Sequence, residues 1–434
     1  MERKKVIRHN YLKLILTSAI VGFLSTLLAF SLKHLTEFFE HRIFGLINTY
    51  NPILFILLPS IGITAIYFLR KYLFHGRKNK GITEIYKTLD ERKEHLPWFK
   101  IPSHYLNGFL TVIFGGSTGV EVSTVVATAA TGNMVYEKEF SARMYKRELV
   151  CAGVTAGVAV LFASPLAGWL FAIEVIARKI RKSLLISCTA SATIAWAFIY
   201  FFDNKPLLDY HISDWSWYAL PFFVVLSILG GGLSVYFTLL VTRMKSLFSK
   251  IPNNFLRVNI GAVTVGTMIY FFPSLYGDSY HGLKEVLHSS LNALNALSTP
   301  NASIAIFTLL VLAILKPLAA SLTLGAGGDG GVFAPSIVAG AFLGLMFAAL
   351  CNQYFGTQLV LLNFALVGAA ATLSASIYAP LTSLILVCNL LPNGYQLFFP
   401  ILLGCIVAKL FSKLLLPYNV YSYDLYLSAQ KTKS

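Results

Sequence analysis

Charge is what this chain has least of. Asp, Glu, Lys and Arg make up 12% of its 434 residues, about half the share of a typical soluble protein. So few charges cannot cover a water-facing globule of 47.8 kDa, which excludes a soluble enzyme. With 56% hydrophobic residues and a mean hydropathy of +0.67, a disordered or collagen-like chain is excluded too. Disulfide and metal signatures are also missing. The five cysteines, Cys151, Cys188, Cys351, Cys388 and Cys405, sit in apolar stretches without CxxC spacing and read as small packing residues. The nine histidines form no HxxxH or HExxH pair, so neither a metal nor a cofactor is expected.

What the chain does have is apolar runs separated by basic blocks. Residues 11–32, 52–69, 105–113, 124–135, 149–173, 184–202, 217–241, 258–272, 304–322, 332–350, 359–373, 377–391 and 398–416 are predominantly apolar. The longer ones reach the roughly 20 residues that span a bilayer core. A net charge of +16 would point to nucleic acid in a soluble protein. Here the cations cluster between the runs, as Arg3, Lys4, Lys5; Arg77, Lys78, Lys80; Arg178, Lys179, Arg181, Lys182; and Arg243, Lys245, Lys250. That is the positive-inside pattern of a multi-pass membrane protein, and no nucleic-acid partner is expected. With the basic N-terminus cytoplasmic, residues 11–32 cross outward as a retained helix rather than a cleaved signal peptide, and 52–69 return onto basic 70–80. Residues 203–215, with Asp203, Asp209 and Asp214 against Lys205, read as external. The expectation is one all-α membrane domain over residues 1–434, with the lipid bilayer as partner and no soluble domain after Tyr423.

Several runs are short or broken by Gly, Pro and Ser, and the breaks cluster at 115–123, 163–168 and 325–335. A helix broken inside a membrane leaves backbone groups that only protein or a wet cavity can satisfy. In transporters such breaks mark the binding site. Glu121, Glu174 and Asp329 are the main acids in these regions, and an intramembrane acid is a functional-site hypothesis by default. Glu121 precedes the apolar run 124–135, which puts a carboxylate at a helix N-terminus, where the dipole favours negative charge. It is either a capping acid or the occupant of an anion site that a mobile anion can displace. Gly325, Gly327 and Gly330 match GxGxxG, but an apolar membrane run precedes them and no acid follows within 332–350, so a dinucleotide loop is rejected. The exposed N–H groups of such a turn instead form an anion-binding concavity.

These segments resemble the CLC family of chloride channels and proton-coupled exchangers, of the prokaryotic type without CBS domains. GxFxP resembles residues 331–335, Gly-Val-Phe-Ala-Pro; GxEGP resembles 119–123, Gly-Val-Glu-Val-Ser, departing at its last two positions. Ala-Ser-Pro-Leu-Ala-Gly at 163–168 and Ala-Ser-Ile-Tyr-Ala-Pro-Leu-Thr at 375–382 resemble two further segments, and the ordered set covers about 76–427. The resemblance implies a fold of two inverted-topology repeats with broken and re-entrant helices, about 1–215 and 216–434, and a homodimer in the bacterial inner membrane with both termini cytoplasmic. It makes Glu121 the gating glutamate and puts the amides of Val332 and Phe333, after Gly331, on a central anion, with chloride first among anions. A tyrosine hydroxyl also reaches that anion: Tyr421 fits best, Tyr423 competes, and either is otherwise an aromatic at the membrane interface.

Two departures matter. The family's serine segment falls on 79–84, so Lys80 takes the serine position beside Gly81 and Ile82. Its ammonium either reaches the inner anion site or extends to cytoplasmic water. The loss of that serine leaves chloride, nitrate, fluoride and bicarbonate undistinguished. The inner glutamate of exchangers falls on Val175, next to Glu174. Valine there favours passive conduction, with proton-coupled exchange as the alternative. Glu174 itself can pair with Arg178 one helical turn on. A membrane-embedded enzyme is the remote alternative, since no paired carboxylates or nucleophile–base pair is spaced for one.

Overall fold

The computed structural model describes residues 2–74, 76, 79–90, 96–139, 145–203, 208, 210, 212, 214–295 and 300–431, with side chains from residue 8 onward except at 289–301. Arg77, Lys78, Lys205 and Asp209, and the side chains of Arg3, Lys4 and Lys5, lie outside the described residues.

The first helix, α1 (Glu2–Tyr50), is 49 residues long, about 74 Å at 1.5 Å per residue. It therefore runs well past the expected span of 11–32. The following helices are α2 (Leu58–Tyr72), α3 (Ile82–Asp90), α4 (Lys100–Ile113), α5 (Glu121–Glu139), α6 (Lys146–Leu161), α7 (Pro165–Phe171) with a π-helical extension (Ala172–Ala177), and α8 (Lys182–Phe202). The second half holds α9 (Leu220–Ser249), α10 (Asn254–Phe271), α11 (Tyr280–Asn295), α12 (Pro300–Ala326), α13 (Phe333–Phe355), α14 (Leu361–Ile377), α15 (Pro380–Cys388) and α16 (Phe398–Leu415), followed by α17 (Tyr423–Lys431). Among the described residues, seven helical segments are long and apolar enough to cross a bilayer.

The packing repeats with a period of eight helices. α5 packs on α6 as α13 packs on α14; α6 meets α8 as α14 meets α16; α1 meets α6 and α8 as α9 meets α14 and α16; α4 meets α5 as α12 meets α13. The backbone breaks repeat as well. Ala163 (φ 47) separates α6 from α7, and Tyr378 (φ 57) separates α14 from α15, each shortly before a proline that opens the next helix. Run 149–173 is thus two helices with the break at 162–164, where Ser164 caps α7 by accepting the Ala167 N–H at 3.3 Å.

Large apolar side chains lie on the outside. Phe23, Phe68, Phe201, Val225, Phe307 and Leu410 are exposed, whereas α5, α6, α13 and α14 are buried along most of their length. These central helices are rich in Ala, Gly, Ser and Thr. Lipid supplies no hydrophobic drive between helices, so close backbone approach through small residues must hold them together. A Cβ on Gly153 would meet the Thr128 carbonyl in the first half, and one on Gly344 would meet the Phe364 carbonyl in the second.

Candidate functional site

The two long breaks meet at the centre. The segment leading into α5 pairs with the segment leading into α13 through an antiparallel bridge between Gly119 and Gly331, and the Thr118 hydroxyl donates to the Gly331 carbonyl at 2.8 Å. Val122 fits between Gly331 and Gly81, since a Cβ on either glycine would meet its side chain. Gly81 (φ 61) turns the chain into α3. The N-termini of α3, α5 and α13, from three distant parts of the sequence, therefore converge on one place. Helix N-termini carry unpaired N–H groups and the positive end of the dipole, so a convergence of three favours an anion.

Glu121, the first residue of α5, is only 4% exposed. Its carboxylate folds back over Gly119, where any side chain would collide with it. Oε1 accepts the Tyr280 hydroxyl at 3.4 Å, and Oε2 has no hydrogen-bond partner among the described residues. On the other side, Tyr421 is buried (6% exposed), with its ring 6.2 Å from that of Phe333. Its hydroxyl is electrostatically in reach of Glu121 and the Val332 amide and has no hydrogen-bond partner of good geometry among the described residues. Phe162 and Phe171 complete the aromatic wall around Phe333, at 6.5 and 5.3 Å between centroids. Tyr423 instead stacks on Tyr418 at 4.9 Å, outside this wall.

The remaining expected residues are placed elsewhere. Lys80 is exposed, and its backbone N–H donates to Glu84 Oε1 at 2.6 Å; this position fits a solvated ammonium. Val175 is buried, with its carbonyl accepting the Tyr86 hydroxyl at 3.1 Å. Glu174 does not turn to Arg178. It caps α15, accepting the Thr382 N–H at 2.9 Å and the Thr382 hydroxyl at 2.8 Å, because the π-helical turn aims it at an adjacent helix start rather than along its own helix. Arg178 lies 3.8 Å over the Tyr86 ring.

The structure adds charged groups that the count of intramembrane acids overlooked. Lys316, fully buried in α12, donates to Ser117 Oγ (2.9 Å), the Gly277 carbonyl (3.0 Å) and Ser279 Oγ (2.7 Å). Its charge acts on Asp278, Glu40 and Glu121. These groups adjoin an outer cavity of about 280 Å³ lined by Glu40, Asp278 and Tyr280. On the opposite, basic side, Glu84 pairs with Lys100 at 2.9 Å, and buried His104 has Nδ1 3.2 Å from Asp329 and Nε2 3.8 Å from Glu84. Asp329 also accepts Asn79 Nδ2 at 2.5 Å. A lysine inside the apolar run 304–322 was the readable signal for Lys316. Glu84, in a charged stretch, gave none.

Broken helices that meet around a buried carboxylate and an unpartnered hydroxyl, inside a shell of long apolar helices, define a multi-span membrane protein. The family model described as "Voltage gated chloride channel" matches residues 61–413, and this chain belongs to that family. It is 26% identical over 424 residues to the H(+)/Cl(-) exchange transporter ClcA of Yersinia pestis bv. Antiqua (strain Angola), covering 94% of this chain and 86% of that one. It is 26% identical over 431 residues to ClcA of Citrobacter koseri, covering 95% and 88%. Among solved structures, a slow cyanobacterial Cl-/H+ antiporter superposes with TM-score 0.79 at 21% identity, covering 97% of this chain and 99% of that one. A CLC-type fluoride/proton antiporter gives 0.75 at 22% identity, covering 94% and 96%. The fold is thus the CLC fold of two inverted-topology repeats. These relatives are named as exchangers, so the preference for passive conduction read from Val175 finds no support among them.

Proposed function

We propose that this chain exchanges chloride for protons across the bacterial inner membrane, as a homodimer with both termini cytoplasmic. The observation that carries the reading is the Glu121 carboxylate, buried at three convergent helix N-termini with one oxygen unpartnered and the Tyr421 hydroxyl free beside it. An anion displacing that carboxylate would be held by the amides of Val332 and Phe333 behind Gly331, by Tyr421, and by the α3 turn at Gly81 and Ile82. Protonation of Glu121 would remove the competing charge and carry a proton. The seat needs no covalent chemistry; it replaces hydration and must release the ion again. The likeness to exchangers over almost the whole chain supports coupling over passive conduction. The division near residue 215 follows the eight-helix packing period, and exposed Leu166, Leu381 and Leu410 offer an apolar face for a second copy.

Purified protein in chloride-loaded liposomes, with chloride and proton fluxes recorded together, tests the reading. Coupled fluxes in fixed ratio are expected, with Glu121→Gln abolishing proton movement. Chloride flux without protons in the unmodified protein returns the reading to passive conduction. Normal coupling in Glu121→Gln overturns the site. Repeating the flux with nitrate, fluoride and bicarbonate determines the preferred anion.

A further inference from the structure

Away from the central seat, a cavity of about 440 Å³ opens on the basic side between α2, the end of α9 and the start of α10. Arg70, Lys71, Lys245 and Arg257 line it, and no acidic side chain does so among the described residues. Lys71 and Lys245 are exposed at its mouth, while Arg70 and Arg257 are half-buried in its wall. The nearest neutralising charges are shared or distant. Asp329 lies 3.9 Å from Arg70 but is also engaged by His104 and Asn79, and Lys245 feels the charge of Asp424 on α17. The Nε atoms of both Arg70 and Arg257 are buried without a hydrogen-bond partner among the described residues. Two acids, Asp329 and Asp424, thus stand against four cations, which leaves the cavity with a net positive charge. The volume far exceeds what a monatomic anion needs.

We propose that this cavity binds a phosphate group, carried by a lipid headgroup or free in solution. Paired guanidiniums match the tetrahedral oxygens of phosphate with directed N–H donors, and lysines at the mouth add charge. Asn254 at the start of α10 brings a helix N-terminus to the same cavity. Exposed Phe68, Tyr72, Phe255 and Leu256 lie on α2 and α10, next in sequence to or near the lining residues Tyr67, Lys71, Asn254 and Arg257, so the helices that carry the basic pocket also offer acyl chains apolar surface, a combination suited to anionic headgroups. The inner wall is the loop Gly327 and Gly328, whose Gly327 carbonyl accepts Arg70 Nη1 at 2.8 Å. Val332 follows five residues later. A phosphate that draws on Arg70 therefore acts on the loop that shapes the central seat.

Binding is read without transport, so it stands or falls separately from the exchange reading. The full chain in neutral detergent is titrated with phosphatidylglycerol and, separately, with inorganic phosphate, following thermal stability. Saturable stabilisation is expected, weakened about fivefold in affinity for each cation removed, in Arg257→Gln and in Lys245→Gln; Lys413→Gln, on exposed α16, titrates as the unmodified protein. Lys245 is at the mouth and keeps the test intact if Arg257→Gln does not fold. Saturation by inorganic phosphate identifies a soluble ligand, and saturation by phosphatidylglycerol alone identifies a headgroup. No saturable shift with either probe, or Lys245→Gln titrating as the unmodified protein, overturns the proposal.

Discussion

The Tyr280 hydroxyl donates to Glu121 Oε1 across 3.4 Å, tying the start of α11 to the start of α5. The other carboxylate oxygen, Oε2, has no hydrogen-bond partner among the described residues. The Tyr280 contact is long for an O–H donor, and it joins two side chains on separate elements, so it restrains the glutamate without locking it. A net worth of about 0.5–1.5 kcal/mol corresponds to roughly twofold to tenfold in a rate limited by the carboxylate leaving its position. Tyr280→Phe is expected to raise chloride turnover in liposomes by that factor. Unchanged or slower turnover would mean that the bond does not restrain Glu121.

Lys316 anchors the outer end of the same site. Its three donors go to Ser117, Gly277 and Ser279, which fixes the segment before α5 against the segment before α11. Removing one partner of a buried charge network leaves the others uncompensated, at about 3–5 kcal/mol. Lys316→Met is expected to lower the temperature at which the protein loses its monodisperse peak on size-exclusion after heating. Lys284→Met, changed at a cation lining the nearby outer cavity, is the comparison and should shift it little. Equal shifts would place Lys316 outside the stabilising network.

How much of this was readable follows from where the interactions lie along the chain. Breaks at 115–123, 163–168 and 325–335 were legible because Gly, Pro and Ser signal them locally, and each contains a helix start in the structure. Glu121, Phe333 and Tyr421 came from motifs and meet at one site. Lys316 carries no local signal beyond a lone cation in an apolar run, because its partners are 37, 39 and 199 residues away. The length of α1 was hidden because polar residues from Lys33 to His41 resemble the end of a span. They remain helical because several of them line the outer cavity, and Lys33 reaches Asp203 at 2.8 Å. The pairing of Glu174 with Arg178 was the local choice. The π-helical turn redirected the carboxylate to α15, which periodicity of 3.6 cannot foresee.

The eight-helix period predicts matched sensitivity in the two halves. Gly132 against the Leu149 carbonyl and Gly344 against the Phe364 carbonyl are the same contact made twice, on α5 with α6 and on α13 with α14. An added methyl must push backbone, and overpacking of this kind costs about 1–3 kcal/mol. Gly132→Ala and Gly344→Ala should each lower thermal stability to a similar extent, whereas Gly232→Ala, with open space around it, should not. A marked effect in one half alone would break the equivalence.

Anion affinity separates the residues that the sequence left in competition. Tyr421 is buried against Phe333 with its hydroxyl unpartnered, Tyr423 stacks on Tyr418, and Lys80 is exposed. If the central anion takes the Tyr421 hydroxyl as donor, Tyr421→Phe removes one hydrogen bond to a charged ligand, which is worth about 1.5–3 kcal/mol. That is roughly a tenfold to hundredfold weaker Kd, to be measured by calorimetric chloride titration of the detergent-solubilised protein. Tyr423→Phe leaves the Kd unchanged, because its ring faces another tyrosine. Lys80→Ser also leaves it nearly unchanged, because a solvated ammonium in salt is screened beyond about 8–10 Å. A large loss of affinity in Lys80→Ser, with little in Tyr421→Phe, would move the anion toward the α3 turn and away from the aromatic wall around Phe333.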